Sequence, residues 1–276
     1  MPKAEMRAIM SGDNNVELYH FWSSVCSVKV RTCLEEKRVA WTSRYVDLFR
    51  FDQMQPDYLK LNPDGVVPTL VHNGQPVRES SIIAEYVDDA FDGPPLKPAD
   101  PLKRARMREF VRICDDGLPA IVLPTMVRYI LPKLRNRWGD EELARRAELR
   151  PTDFYRRVHR KAVERDVSEH ELAECFARLE KILDQMEAML TENGRWIVGE
   201  FSLADIAVAP YLFRLSALGE ERFWSVTRRP AVADWYQRIL ERETFQAAAS
   251  WPDETGGGYE EVGLKASLPT SNVASA

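Results

Sequence analysis

The stretch from Leu61 to Val87, LNPDGVVPTLVHNGQPVRESSIIAEYV, restricts the fold more than any other part of the chain. Val66 to Leu70 is mostly β-branched and apolar, with Pro68 at the strand's mouth, where a ladder donor can be spared. His72-Asn73-Gly74-Gln75 carries Asn-Gly, a strong short-range hairpin signal, and Val77-Arg78-Glu79 reads as the return strand. Ser80 and Ser81 then open a helix whose apolar positions Ile82, Ile83, Tyr86 and Val87 recur at helical spacing. A hairpin that runs straight into a helix leaves the first helical N–H groups beside the acidic Glu79. Such a start suits a small anionic molecule.

The segments before it extend the pattern. Residues 1–15 lack periodicity and read as a flexible leader. Val16 to His20 alternates as a strand does, and a loop through Cys26 leads to a helix from about Ser27 to Lys37, with Val30, Cys33 and Leu34 on one face. Trp41 to Leu48 favours a pleated surface, and a short helical piece follows around Asp57 to Lys60. Strand, helix, strand predicts a parallel pair joined by a right-handed crossover. Closed by the hairpin and its helix, the order βαβ then ββα is thioredoxin-like.

Residues 92–101, DGPPLKPADP, hold four prolines and form a stiff connector. Beyond it only helical periodicity remains. Helices are expected at Lys103–Asp116, Pro124–Leu134, Ser168–Leu190, from Leu203 onward, and at Ala231–Ala249. The expected architecture is therefore an α/β thioredoxin-like domain at 16–91 followed by an all-α domain at 102–251. Residues 135–166 are dense in Arg, Lys and Glu and read as a pair of solvated short helices, with Phe154, Tyr155 and His159 as candidate borders of a substrate mouth. Residues 252–276 read as a flexible tail, with Trp251 and Tyr259 as points that would dock its first part.

Ser202-Leu203-Ala204-Asp205 has the spacing of a capping box, and the run Ile206 to Leu212 after it is too apolar for a surface helix. Ser202 and Asp205 are read as folding residues, and their helix as the core of its domain. A net charge of −5 gives no global reason to expect nucleic acid, and no apolar run is long enough to span a membrane. The four cysteines, Cys26, Cys33, Cys114 and Cys175, lack C-x-x-C or zinc spacing, so reduced thiols in a cytoplasm are expected, with no metal.

Taken together, LNPDG, VVPTL and ESSII in the first half and FSLADIA in the second, in this order and spacing, resemble the cytosolic glutathione transferase superfamily. The resemblance runs from Val16 to about Trp251. It implies a glutathione site in the first domain, a pocket for a small hydrophobic or aromatic electrophile between the domains, and a homodimer. It also implies that Pro68 is the family's cis-proline, and that the backbone of Val67 pairs with the cysteinyl part of glutathione. Glu79 and Ser80 match the acidic-then-hydroxyl pair at the γ-glutamyl end. Gln53 is balanced between an exposed loop residue and one reaching the glycyl carboxylate.

SSVCSVKVR resembles the zeta-class signature with one extra residue, which implies Ser24 as the serine that activates the thiol. Ser27 and Cys26 stay open as alternatives, and for Cys26 an inert buried thiol is an equal reading. The physical demand is modest. Lowering a thiol from ~8.5 to ~6.5 requires about 2.7 kcal/mol in favour of the thiolate. One hydroxyl hydrogen bond to a charged sulfur supplies ~1.5–3 kcal/mol, and a helix N-terminus adds ~0.3–2 kcal/mol. The segment LKPADPLKRARMREF, with the insertion after Leu134, looks like the bacterial glutathione-dependent β-etherases, which cleave lignin-type aryl ethers to a thioether and a phenol. A zeta-like isomerase or dehalogenase, and a non-catalytic binding or chaperone module, are the alternatives. Met107, Phe110, Val111, Cys114 and Met126 are guesses for the pocket wall.

Overall fold

The computed structural model describes residues 15–164, 167–252 and 254. The sheet of the first half is built from β1 (Val16–His20), β2 (Thr42–Tyr45), β3 (Thr69–His72) and β4 (Gln75–Val77), in the order β2-β1-β3-β4. β1 and β2 are parallel, joined through α1 (Val25–Glu36), while β3 runs antiparallel to both β1 and β4. Leu18 faces Leu70 across the β1–β3 ladder, and Leu70 faces Val77 in the next, so one buried row crosses the middle strands. The short helix α2 (Pro56–Leu61) precedes β3, and α3 (Ser80–Ala90) follows β4.

The sequence reading placed the hairpin correctly and its strands a few residues off. The Val67–Pro68 peptide is cis, and β3 begins only at Thr69, because Val66 to Pro68 forms the loop that approaches the helical half. Asn73 and Gly74 both have positive φ, 50° and 79°, as a two-residue type I′ turn requires. That turn pairs Gln75 with His72 at once, so the return strand starts at Gln75 and ends at Val77. β2 is likewise shorter than the expected Trp41–Leu48.

α1 starts two residues earlier than expected, with Ser24 as its N-cap. Nearly all of it is buried, since α3 and the second-half helices at Leu203–Ala217 and Glu243–Ala249 close around it. Its motif VKVR contributes Arg31, which has no exposed surface. The Arg31 guanidinium donates to the carbonyls of Ala248 (2.9 Å), Trp22 (2.7 Å) and Phe21 (3.3 Å), and to His20 Nδ1 (3.0 Å). Accepting at Nδ1 makes His20 a donor at Nε2, toward the Ser43 hydroxyl at 3.0 Å, and Ser43 donates on to Glu254 at 2.7 Å. Burial and the Arg31 charge together push the His20 pKa down to about 2, so the ring is neutral. Trp251 packs on Trp41 with centroids 4.6 Å apart and on His20 at 5.3 Å, the docking expected of it. Tyr259 and the leader at 1–14 lie outside the described residues.

The connector is pinned rather than free. Leu96 is buried, its N–H donates to Asp88 Oδ1 at 2.8 Å, and its carbonyl accepts from Leu203 N at 2.9 Å. The helical half comprises α4 (Pro101–Thr125), α5 (Leu131–Glu148), α6 (Asp153–Glu164), α7 (Glu169–Asn193), α8 (Leu203–Ala217), α9 (Pro230–Glu241) and α10 (Glu243–Ala249). The two helices expected at Lys103–Asp116 and Pro124–Leu134 are different in outline. α4 continues through Pro119 and Pro124, and a π-helical turn at Met126–Ile130 passes directly into α5. Tertiary packing carries the helix through both prolines. Gly117 lets α4 lie so close to α7 that a Cβ would run into Ile182. The Tyr211 hydroxyl donates to the Cys114 carbonyl at 3.0 Å, next to the Asp115 carbonyl that Pro119 deprives of its helical donor.

α8 is the buried centre of this half, as its composition suggested. Both arms of its capping box are present, and Asp205 also accepts from Trp235 Nε1 (2.8 Å) and Ile197 N (3.2 Å), which makes it a folding residue. The charged insert departs from the solvated pair that was expected. α5 and α6 enclose a small core of Phe51, Leu131, Leu134, Leu143 and Val163, and Trp138 Nε1 donates to the Phe49 carbonyl at 3.1 Å. The insert is thereby fastened to the loop after β2.

Candidate active site

A cleft of about 980 Å³, including its open mouth, lies between the two halves. One wall is the loop Phe21–Cys26, the turn Leu48–Phe51 and the segment Gly65–Val67. The opposite wall is the C-terminal part of α4, with Leu134, Arg150, His159 and Arg214 completing it. Leu118, Ile121, Val122, Thr125 and Met126 face the cleft at the i, i+3, i+4, i+7, i+8 spacing of one helix face. The guessed wall residues stand one or more turns too early. Met107, Phe110 and Cys114 are fully buried in the main core, Val111 packs against it, and only Met126 reaches the cleft.

Ser24, Val25 and Cys26 bring the α1 N-terminus to the cleft. The Ser24 oxygen accepts from Ser27 N at 3.3 Å, the N-cap bond. Its O–H remains to donate, at the positive end of a helix, toward any anion in the cleft. Ser27 is placed differently. It has no exposed surface, is absent from the cleft wall, and its hydroxyl accepts from Phe21 N at 3.3 Å. That hydroxyl holds the loop.

Cys26 lines the cleft, half-buried, with its sulfur within hydrogen-bonding reach of the Ser80 hydroxyl. Burial pushes its thiol pKa up, against the opposing pull of the nearby Lys29 charge. Lys29 is itself buried and ties the halves together: its ammonium donates to Ser81 Oγ and Asp115 Oδ1, both at 3.0 Å, and Ser81 donates to Asp115 at 2.8 Å. Sequence reasoning missed this tie, although Lys29 within a buried helix was its signal.

Val67 lines the cleft just before the cis-proline. Tyr58 and Asn62 Nδ2 (3.0 Å) both donate to the Val66 carbonyl, which fixes the loop from behind. At the start of α3, Glu79 is exposed and adopts φ 66°, a left-handed backbone that costs about 1–3 kcal/mol for a non-glycine residue. Its side chain makes no cap bond, so the first N–H groups of α3 lack that partner. The residues present therefore fit a γ-glutamyl end: a carboxylate for its amine, and helix N–H groups with the Ser80 hydroxyl for its α-carboxylate. Gln53 is not an exposed loop residue. It is fully buried and off the cleft wall, and among the described residues neither side-chain amide atom has a hydrogen-bond partner.

Arg214, Arg150 and His159 are the cleft's remaining polar side chains of note. Arg214, from α8, donates to the Ser23 carbonyl and so braces the loop that carries Ser24. His159 borders the cleft as the sequence suggested, while the side chains of Phe154 and Tyr155 lie outside the described residues.

Comparison with known proteins agrees with this geometry. Residues 18–95 match the glutathione S-transferase N-terminal domain and residues 169–238 the C-terminal domain. The chain is 30% identical over 255 residues to the tetrachloro-p-hydroquinone reductive dehalogenase of Sphingobium chlorophenolicum, covering 88% of this chain and 98% of that one. It is 28% identical over 236 residues to protein LigF of Sphingobium sp., covering 84% and 91%. The crystal structure of β-etherase LigF from Sphingobium sp. strain SYK-6 superposes with a TM-score of 0.74 at 26% identity, over 85% of this chain and 98% of that one. A zeta-class maleyl pyruvate isomerase superposes with a TM-score of 0.61 at 25% identity, over 86% and 99%. With the thioredoxin-like sheet, the helical second half and both family domains in register, this chain belongs to the glutathione S-transferase family.

Proposed function

We propose that this protein binds glutathione between the Val67–Pro68 loop and the α3 N-terminus and uses its thiolate to attack an electrophilic carbon of an aromatic substrate. The observation that carries the proposal is Ser24, a hydroxyl on the wall of an apolar cleft at the N-terminus of α1. Glutathione supplies the nucleophilic sulfur. The chain holds its backbone at Val67 and its γ-glutamyl end at Glu79 and Ser80, and stabilises the charged sulfur with the Ser24 O–H and the helix dipole. A hydrogen bond of ~1.5–3 kcal/mol and a dipole contribution of ~0.3–2 kcal/mol meet the ~2.7 kcal/mol needed for a two-unit shift without any general base. The apolar faces of α4 and of Phe49 and Phe51 would hold the aromatic rings and keep water from the developing phenolate.

The leading substrate class is a β-aryl ether, whose phenolate the thiolate displaces. Likeness to the LigF β-etherase over 85% of the chain supports it. Incubation with glutathione and a fluorogenic β-aryl ether should release the phenol and a stoichiometric thioether; no release, with an active control, would sink the ether assignment. Glutathione-dependent dehalogenation is the second reading. The thiol of Cys26 on the cleft wall favours it, together with the likeness to a reductive dehalogenase. Halide release without accumulating thioether would decide for it. A cytoplasmic homodimer completes the proposal, with sedimentation as the check on the dimer.

A further inference from the structure

The carbonyls of Phe21, Trp22 and Ser23, which lead up to Ser24, all accept from buried guanidinium groups. Arg31 takes those of Phe21 and Trp22 from within α1, the helix that Ser24 caps. Arg214 takes that of Ser23 from α8, in the other half of the chain. The peptide between Ser23 and Ser24 is thereby held on both sides, its carbonyl by Arg214 and its N–H by the Phe21 carbonyl at 3.2 Å. Ser24 leaves that peptide with φ −67° and ψ 122°, the extended conformation in which its oxygen accepts from Ser27 N. Turning the peptide would carry the hydroxyl away from both the helix end and the cleft.

The same loop has open space behind it. A smaller hollow of about 320 Å³ is lined by Ser23 and Val25 on one side and by Pro210, Phe213 and Ala249 on the other. Ser23 and Val25 line the cleft as well, so this segment stands between two open spaces, and Arg214 borders both. A segment with a hollow at its back lacks van der Waals contacts on that side. Its position therefore depends on polar ties, and the tie from the helical half is the Arg214 bond to Ser23.

We infer that Arg214 is a positioning residue for Ser24, a prop from the helical half that keeps the Ser24 hydroxyl at the cleft and out of the hollow behind it. The inference rests on the reading of Ser24 as the partner of the glutathione sulfur. It adds that the half which shapes the electrophile pocket also governs how well the thiol is activated.

The test reads Ser24 in two ways on the full-length protein. Without glutathione, hydrogen exchange at the Ser24 and Ser27 amides reports the loop and the cap, since these donate to the Phe21 carbonyl and to Ser24 Oγ. Arg214→Met should speed exchange at both about tenfold or more, while the buried β1–β3 ladder exchanges as in wild type. With glutathione, Arg214→Met should raise the pKa of the bound thiol by about 1 unit, as Ser24→Ala does, and Arg214→Lys, which keeps a charged donor, should restore part of the loss. The two effects should not add: in a Ser24→Ala background, Arg214→Met should shift the thiol no further. Additive shifts would mean that the guanidinium acts on the sulfur by its own charge, and would overturn the positioning role. Unchanged exchange at Ser24 and Ser27 would overturn it as well. If Arg214→Met fails to fold, Arg214→Gln carries the same measurements, since its neutral amide ends short of the Ser23 carbonyl. Should glutathione bound to wild type titrate as the free thiol does, the transferase reading fails, and the exchange measurement alone decides for or against the prop.

Discussion

Ser24 and Ser27 show how much a two-residue shift of a helix boundary decides. Both were candidates while the helix was expected to begin near Ser27. With α1 starting at Val25, Ser24 becomes the cap on the cleft wall and Ser27 a buried hydroxyl bonded to Phe21 N. In the proposed function Ser24 would serve two roles through different atoms: its oxygen caps the helix, and its proton would be left for the sulfur. Ser24→Ala is expected to lower stability by about 1 kcal/mol, the usual cost of losing a cap. At neutral pH it should also reduce kcat/KM about 10- to 100-fold, the loss of one hydrogen bond to the thiolate. Denaturant melts and initial rates on the same preparation separate the two effects, and raising the pH should recover much of the rate. Loss of stability with unchanged rates would leave Ser24 as a cap only.

At the scale of elements, the strongest local signals were the reliable ones. Asn73-Gly74 and the capping box at Ser202 depend on backbone chemistry within four residues, so the sequence displays them directly. The break expected between Asp116 and Pro124 is absent because α4 is held by its neighbours, through Gly117 against Ile182 and Tyr211 against the Cys114 carbonyl. α5 and α6 were misread for a similar reason. Their charge density is real, but the inward rows Leu131–Leu134–Leu143 and His159–Val163 depend on partners elsewhere in the chain. α1 carries the least expected feature, a buried Arg31 that ties the carbonyls of Phe21 and Trp22 to the C-terminal Ala248. Arg31→Leu leaves those acceptors buried without their donor and should cost at least about 3 kcal/mol. It should also loosen the loop that presents Ser24, so glutathione affinity should fall with stability. Thermal unfolding with and without glutathione tests both, and a variant as stable as wild type would refute the tie.

For the molecule as a whole, the two-part architecture was legible and the composition of the cleft wall was not. The order of strands and helices, the cis-proline loop and the acidic-serine start of α3 are all local in sequence, and they make up the proposed glutathione end. The proposed electrophile end is assembled from α4, the insert and α8. Which of their faces turn inward follows from packing over separations of a hundred residues or more, as Arg214 on the Ser23 carbonyl illustrates. Gln53 belongs with these, since its burial depends on the core around it. The account therefore stands on one chemical claim, that the cleft ionises glutathione beside Ser24. Titration of the thiolate absorbance of bound glutathione tests it most directly. Wild type should show a thiol pKa about 1–2 units below the free value of about 8.5, and Ser24→Ala should lose most of that shift. A bound glutathione that titrates as the free thiol does, or a shift that Ser24→Ala leaves intact, would contradict the account.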